Sequence, residues 1–248
     1  VDVILGNHDL SLNSLSQGNC IEPIVALISN GIVVEKGIKN IPKLKDGVNG
    51  IYFYPHSGFY NVDDDIVYGV YSCLDNEILK LNLKDRDVDK NYIALFHGAM
   101  YGSMADNGMQ LKGDELIKPN IFDNFDIVML GDIHEYQSLQ EYEKKEGVIK
   151  PSIAYPSSIL QLNYGESLKK GYLLWDLTKK EHERRFILNK WGFAKLNISK
   201  GEIIEDRLND IEFSLDKIKT KVWIEIEDDE ENYSVEKLSQ IRKIVKNK

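Results

Sequence analysis

The sequence predicts an α/β fold, and three observations carry that expectation. Three short, near-continuous apolar runs, at residues 1–5, 92–96 and 126–130, have the composition of strands buried on both faces. Each run ends in a glycine-containing turn whose residues can ligate a metal: Gly6-Asn7-His8-Asp9, His97-Gly98 and Gly131-Asp132-Ile133-His134. Open α/β sheets place their sites in the crevice beyond the carboxyl ends of such strands, so three tips of one design point to a single shared site.

The remaining elements follow in order. IEPIVALISNG, residues 21–31, reads as a short helix stopped by Gly31, where a left-handed cap costs glycine little. GIYFYP and DIVYGVYS are rich in β-branched and aromatic residues and read as strands. After Gly131 the chain becomes mainly strand, with SLQEYE, SIAYP, GYLLWDL and HERRFIL alternating with turn signals. Around Trp191-Gly192 the character changes. FAKLNIS is a strand, Leu208, Ile211, Leu215 and Ile218 follow helical spacing, and KVWIEIE is a further strand. Ser234 then caps a helix whose face is lined by Val235, Leu238, Ile241 and Val245. Residues 191–248 therefore read as part of a smaller α+β unit.

Composition narrows the function. The chain has 248 residues, 42% hydrophobic and 29% charged, as a globular protein does. No stretch approaches the ~20 apolar residues of a membrane helix, and nothing resembles a signal peptide. Cys20 and Cys73 have no metal-knuckle spacing and read as reduced, mostly buried thiols of an intracellular protein without a membrane role. A net charge of -9 and a pI near 5.2 count against nucleic-acid binding by phosphate neutralisation alone. Bound metal ions would supply the positive charge a DNA site needs.

Asn7, His97, Asp132 and His134 form a mixed nitrogen and oxygen donor set, which suits manganese, iron or zinc better than calcium. His8 adjoins Asn7 and is placed to face a substrate. Other conspicuous residues read as ordinary. His56 sits in a turn with a structural or solvent role, and His182, among Lys, Glu and Arg, reads as exposed and uninvolved. The Asp63-Asp64-Asp65 run is an acidic hairpin turn. Met100, Met104 and Met109 punctuate a glycine-rich loop that either borders a groove or lies on the surface.

Asn7-His8-Asp9, His97-Gly98 and Asp132-Ile133-His134 occur in the order of the third, fourth and fifth motifs of the calcineurin-like metallophosphoesterases, which the chain resembles. Within that superfamily GDIHEYQ, IAYPSSILQLNYGE and KKGYLLWDL are similar to the SbcD-type, or meiotic-recombination-eleven-type, DNA repair nuclease subunits. The resemblance implies a β-sandwich flanked by helices over residues 1–190, followed over 191–248 by part of an α+β DNA-capping domain. The family's first two motifs, D-x-H and G-D-x-x-D, do not occur ahead of GNHD. The resemblance therefore implies a catalytic domain truncated at its N-terminus, inactive by itself.

The roles it implies are specific. Asn7, His97 and Asp132 hold one metal and His134 reaches a second, both manganese in the full-length protein. His8 contacts the scissile phosphate and helps protonate the leaving oxygen, and Asp9 orients the loop. Asp132 stands where the family usually has histidine, and Ser157 where Y-P-G-S has glycine. The implied partners are DNA, an SMC-like coiled-coil ABC ATPase subunit and a second copy of the chain, in a cytoplasmic, nuclear or virus-encoded setting. Two alternatives stay open: a phosphoesterase acting on nucleotides or phosphoproteins, and a DNA-end-binding scaffold without hydrolysis.

Overall fold

A computed structural model describes residues 1–10, 19–38, 40–41, 49–75, 77–105, 108–145, 147–189, 192–199, 202–206, 220–227, 239 and 243. β1 (Asp2–Ile4), the helix α1 (Ile21–Leu27), β2 (Gly31–Val33) and β3 (Ile51–Tyr54) come first. Both β1 and β2 pair in parallel with β3, which lies between them. A larger sheet of six strands has the order β4-β5-β6-β7-β11-β8. Its members are β4 (Gly58–Asn61), β5 (Ile66–Tyr71), β6 (Asn91–His97), β7 (Ile127–Gly131), β8 (Gln137–Gln140) and β11 (Ser152–Tyr155). The β5–β6, β6–β7 and β7–β11 pairs are parallel, and the outer pairs β4–β5 and β11–β8 are antiparallel. β9 (Glu143–Lys145) and β10 (Val148–Lys150) form a small hairpin.

β12 (Gly171–Asp176) and β13 (Glu181–Phe186) form a second hairpin. β14 (Gly192–Ser199) pairs antiparallel with β15 (Glu202–Asp206) and in parallel with β16 (Thr220–Glu227). The chain divides into two compact units: Val1–Ser157 with Leu173–Glu183, and Ser158–Tyr172 with Arg184–Lys248. Among the described residues no helix is long and apolar enough to cross a membrane.

The expected α/β architecture with flanking helices is overturned. Among the described residues sixteen strands accompany one complete α-helix, which is seven residues long. Parallel strands usually cross over through a helix, yet among the described residues the β5–β6 and β6–β7 crossovers are loops. Between β5 and β6 the chain carries Asn82, Asp85, Asp87 and Asp89, and only the short 3-10 turn Leu83–Asp85 forms. Between β6 and β7 it carries Gly98, Gly102, Gly108, Gly113 and Pro119, with the 3-10 turn Pro119–Phe122. Such residues satisfy the backbone locally and break helical periodicity. Of the two helices expected in the smaller unit, Leu208, Ile211, Leu215 and Ile218 lie outside the described residues. So do Ser234, Val235, Leu238, Ile241 and Val245, whereas Ser239 and Lys243 are helical.

Loops do the covering that helices were expected to do. Phe122 and Phe125, from the β6–β7 crossover, are fully buried with Tyr71, Val128, Ile153 and Tyr155. The Tyr71 and Phe122 rings meet edge to face at 4.9 Å. The β5–β6 crossover is anchored by Arg86, whose guanidinium lies 2.8 Å from Asp126 Oδ2 with both side chains buried. That oxygen also accepts the Tyr92 N–H at 2.8 Å.

Two local expectations are also corrected. α1 ends at Leu27 with Ile28 already extended, and Gly31 opens β2 rather than capping the helix. A side chain at Gly31 would have its Cβ 1.9 Å from the Val25 carbonyl oxygen, so glycine is needed there for close approach. Cys20 is exposed and Cys73 half-buried. Cys20 immediately precedes α1, outside the core that Val25 enters.

Candidate metal centre

β6 and β7 are neighbours in the six-stranded sheet and β1 belongs to the three-stranded one, yet the turn after β1, the last residue of β6 and the turn after β7 bring Asn7, His97 and Asp132 together. His97 Nε2 lies 3.3 Å from Asn7 Oδ1 and 3.7 Å from Asp132 Oδ1. Asn7 Nδ2 donates to Asp132 Oδ1 at 3.3 Å. Three donors each ~2.1 Å from one ion stand roughly 3.0–3.4 Å apart. Of the pairs of ligating atoms, His97 Nε2 and Asn7 Oδ1 stand within that range, and His97 Nε2 and Asp132 Oδ1 would contract by a few tenths of an ångström to reach it. The Asn7–Asp132 contact is made by the amide nitrogen, which does not ligate.

Two glycines make room for the imidazole. A Cβ on Gly131 would lie 2.7 Å from His97 Nδ1, and one on Gly6 would lie 3.1 Å from Cε1 and Nε2. The Gly98 N–H donates to the Gly131 carbonyl at 3.2 Å, tying the two loops together. Tyr155, fully buried on β11, donates its hydroxyl to the Gly98 carbonyl at 2.7 Å and accepts the Met100 N–H at 3.1 Å. The turn after His97 is therefore clamped from two neighbouring strands.

Burial holds the His97 imidazole below its ordinary range, opposed by the charges of Asp132 and Asp9 and reinforced by those of His8 and His134. A neutral ring is the form that ligates metal. Asp132 has φ of 97°, a left-handed conformation that favours glycine. Asn124, Ser157 and Lys180 share a positive φ, so the conformation is not peculiar to the cluster.

The other candidate residues fall around this cluster. His8 is exposed on the 3-10 turn Asn7–Asp9. Asp9 closes its own loop, accepting the Gly6 N–H at 2.8 Å on Oδ2. His134 is half-buried and close enough to His97 to act on its titration. Among the described residues no group of three or more His, Cys, Asp and Glu side chains is arranged to hold a metal ion. The set that converges consists of one imidazole, one carboxylate and one amide. A cavity of ≈ 350 Å³ adjoins His97, walled by Tyr71, Phe96 and Ile117 with Cys73, Glu77 and Glu115. Burial pushes the Cys73 thiol up, so it stays protonated.

His56 and the acidic turn have structural partners. His56 Nδ1 lies 3.6 Å from Asp75 Oδ2, and Asp63 Oδ1 accepts the Asp65 N–H at 2.8 Å between β4 and β5. Met100 is fully buried, while Met104 and Met109 are exposed. Residues 161–170 contain a structural latch. Glu166 and Lys170 form an ion pair at 2.8 Å with both side chains wholly buried. Glu166 also accepts Leu162 N–H and Asn163 Nδ2, while Gln161 binds Phe193 through both its carbonyl and its N–H. Ser157 is held at φ of 89°, again where glycine fits without strain.

No family model matches the chain. It is similar to "Uncharacterized protein R555" of Acanthamoeba polyphaga mimivirus, 29% identical over 216 residues. That match covers 84% of this chain and 14% of the relative, so the chain spans about one-seventh of the length of the curated relative it matches.

Proposed function

We propose that the chain belongs to a metal-dependent phosphodiester hydrolase, the nuclease subunit of a double-strand-break repair complex. The observation that carries this reading is the meeting of Asn7, His97 and Asp132 within 3.3–3.7 Å, from loops that carry the third, fourth and fifth phosphoesterase motifs in order. These three side chains would hold one divalent ion, manganese by the hardness of the carboxylate and amide oxygens, and His134 would reach a second. Two such ions, when bound, lower the pKa of a water and stabilise the attacking and leaving oxygens of an in-line displacement.

The chain's own residues supply the rest. His8, exposed beside Asn7, contacts the scissile phosphate and passes a proton to the leaving oxygen. Asp9 fixes the turn that presents both. Gly6, Gly131 and Tyr155 fix the His97 ring. The partners of this reading are DNA, an SMC-like ATPase and a second copy of the chain, in an intracellular setting.

A second reading, a phosphoesterase of nucleotides or phosphoproteins, is favoured by the net charge of -9.

Manganese titration of the chain followed by electron paramagnetic resonance tests the centre. Binding that His97→Ala and Asp132→Ala each abolish supports it, and binding unchanged by either variant sinks it. With manganese-loaded full-length protein, cleavage of linear duplex DNA that His8→Ala removes supports the nuclease reading. Cleavage of small phosphoesters with DNA left intact transfers the site to the second reading.

A further inference from the structure

A second cavity, of ≈ 470 Å³, shares no residue with the proposed metal centre. It lies between the edge strand β8 with its following residues and the tip of the β12–β13 hairpin. Glu141 and Tyr142 form one side, and Lys179, Lys180, Glu181 and His182 the other. Asp176 Oδ1 accepts the Thr178 and Lys179 N–H groups at 2.9 and 3.0 Å, which fixes the hairpin tip; Lys179 Nζ lies 3.8 Å from Asp176 Oδ2, and Lys180 Nζ donates to Asn91 Oδ1.

His182 is the unusual member. Strand alternation puts it on the opposite face from its charged neighbours Glu181 and Glu183, and its ring packs against Trp175 with centroids 4.7 Å apart. Its Nε2 lies 3.1 Å from the Tyr136 hydroxyl. Its Nδ1 is buried and has no hydrogen-bond partner among the described residues. Whichever tautomer is present, one ring nitrogen is left unsatisfied, and buried polar groups are rarely left so. Burial also holds this imidazole below its ordinary range, so the ring is neutral and carries one N–H.

The cavity thus combines features that one ligand class satisfies together. Lys179 and Lys180, which both line the cavity, supply the positive charge that suits a phosphate. The carboxylates of Glu141 and Glu181, unpaired among the described residues, suit the amino group of a base. The Tyr136 and Tyr142 rings suit its flat face, beside the His182 imidazole. The volume lies within the roughly 300–1,000 Å³ of small-molecule sites. We propose that this cavity binds a nucleotide whose base carries an exocyclic amino group, with the base toward Glu141 and Glu181 and the phosphate toward Lys179 and Lys180.

Calorimetric titration of the chain in EDTA, with AMP, GMP, CMP, UMP and inorganic phosphate in parallel, tests the proposal without reference to the metal centre. AMP, GMP or CMP is expected to bind at least about tenfold more tightly than UMP or phosphate. Glu181→Gln should erase that preference, and Lys179→Ala with Lys180→Ala should weaken binding about tenfold. His182→Gln supplies a variant that fills the position without the imidazole, with circular dichroism as the check that it folds. Phosphate binding as tightly as AMP would reduce the cavity to an anion site and overturn the proposal. So would the absence of binding by any nucleotide at millimolar concentration, or a preference untouched by the Glu181 and Lys179/Lys180 variants.

Discussion

Gly131 faces the imidazole of His97 so closely that a methyl group there would stand 2.7 Å from Nδ1. No carbon–nitrogen contact is that short, so Gly131→Ala must turn the ring out of its present position. We expect manganese affinity to fall at least about tenfold, some 1.4 kcal/mol, with the fold retained. Titration of the variant beside the parent, with circular dichroism on both, checks this; unchanged affinity would mean that His97 does not ligate from this position.

Asp132 and Ser157 share a left-handed backbone, at φ of 97° and 89°, but only the first belongs to the cluster. Substitution by glycine removes strain of roughly 1–2 kcal/mol at either position. Asp132→Gly is expected to gain thermal stability and lose manganese binding, whereas Ser157→Gly gains stability and keeps it. Melting curves with and without metal distinguish the pair. A destabilised Ser157→Gly would show that its hydroxyl matters more than its backbone.

Tyr155→Phe removes one oxygen that serves two loop positions. The Met100 N–H, at a fully buried residue, then has no acceptor. Such a loss costs about 1–3 kcal/mol, and because the clamped turn carries His97, metal affinity should fall with it. Chemical denaturation gives the first quantity and manganese titration the second. A stable variant with weakened metal binding would assign Tyr155 to positioning alone.

Arg86 and Asp126 are both buried, with side-chain exposures of 7% and 4%. Arg86→Met leaves a carboxylate without its cation in a closed site, expected to destabilise by about 3–5 kcal/mol. The double variant Arg86→Met, Asp126→Asn should recover part of that loss in urea unfolding. A single variant as stable as the parent would mean that the β5–β6 crossover is held by its apolar contacts.

His97 and His182 are both depressed by burial. The unfolded chain therefore takes up protons near the ordinary histidine pKa of ~6.5 while the folded chain does not. Stability is full above that value, falls as the pH drops below it, and stops falling on this account once the depressed folded values are passed. His182→Gln should flatten the slope of melting temperature against pH. An identical slope in that variant would exclude His182 as a contributor.

Strands were readable because apolar composition reports burial directly. The runs at residues 92–96 and 126–130 fall within β6 and β7 or overlap them by all but one residue. The loop character of the β5–β6 and β6–β7 crossovers was also written in the chain, as the asparagines, aspartates and glycines of residues 82–89 and 98–113, but the α/β expectation set those signals aside. The ligand-type residues could be found because chemistry restricts which side chains hold metal. The reason for Gly6 and Gly131 could not, since a sequence shows a missing side chain and not the ring that fills its place. His182 was misread from its neighbours' charge, although the two-residue period of its strand already put it on the other face.

The β5–β6 and β6–β7 crossovers, with no α-helix among their described residues, leave the centre of the six-stranded sheet to non-local pairing when it folds. β5 must find β6 across residues 72–90, and β6 must find β7 across residues 98–126, each closing a loop before any pairing rewards it. During synthesis the far edge of β7 stays open until Ser152 to Tyr155 have left the ribosome and β11 can cover it. That interval, more than the finished structure, is when the protein is exposed to aggregation and when a chaperone would matter most.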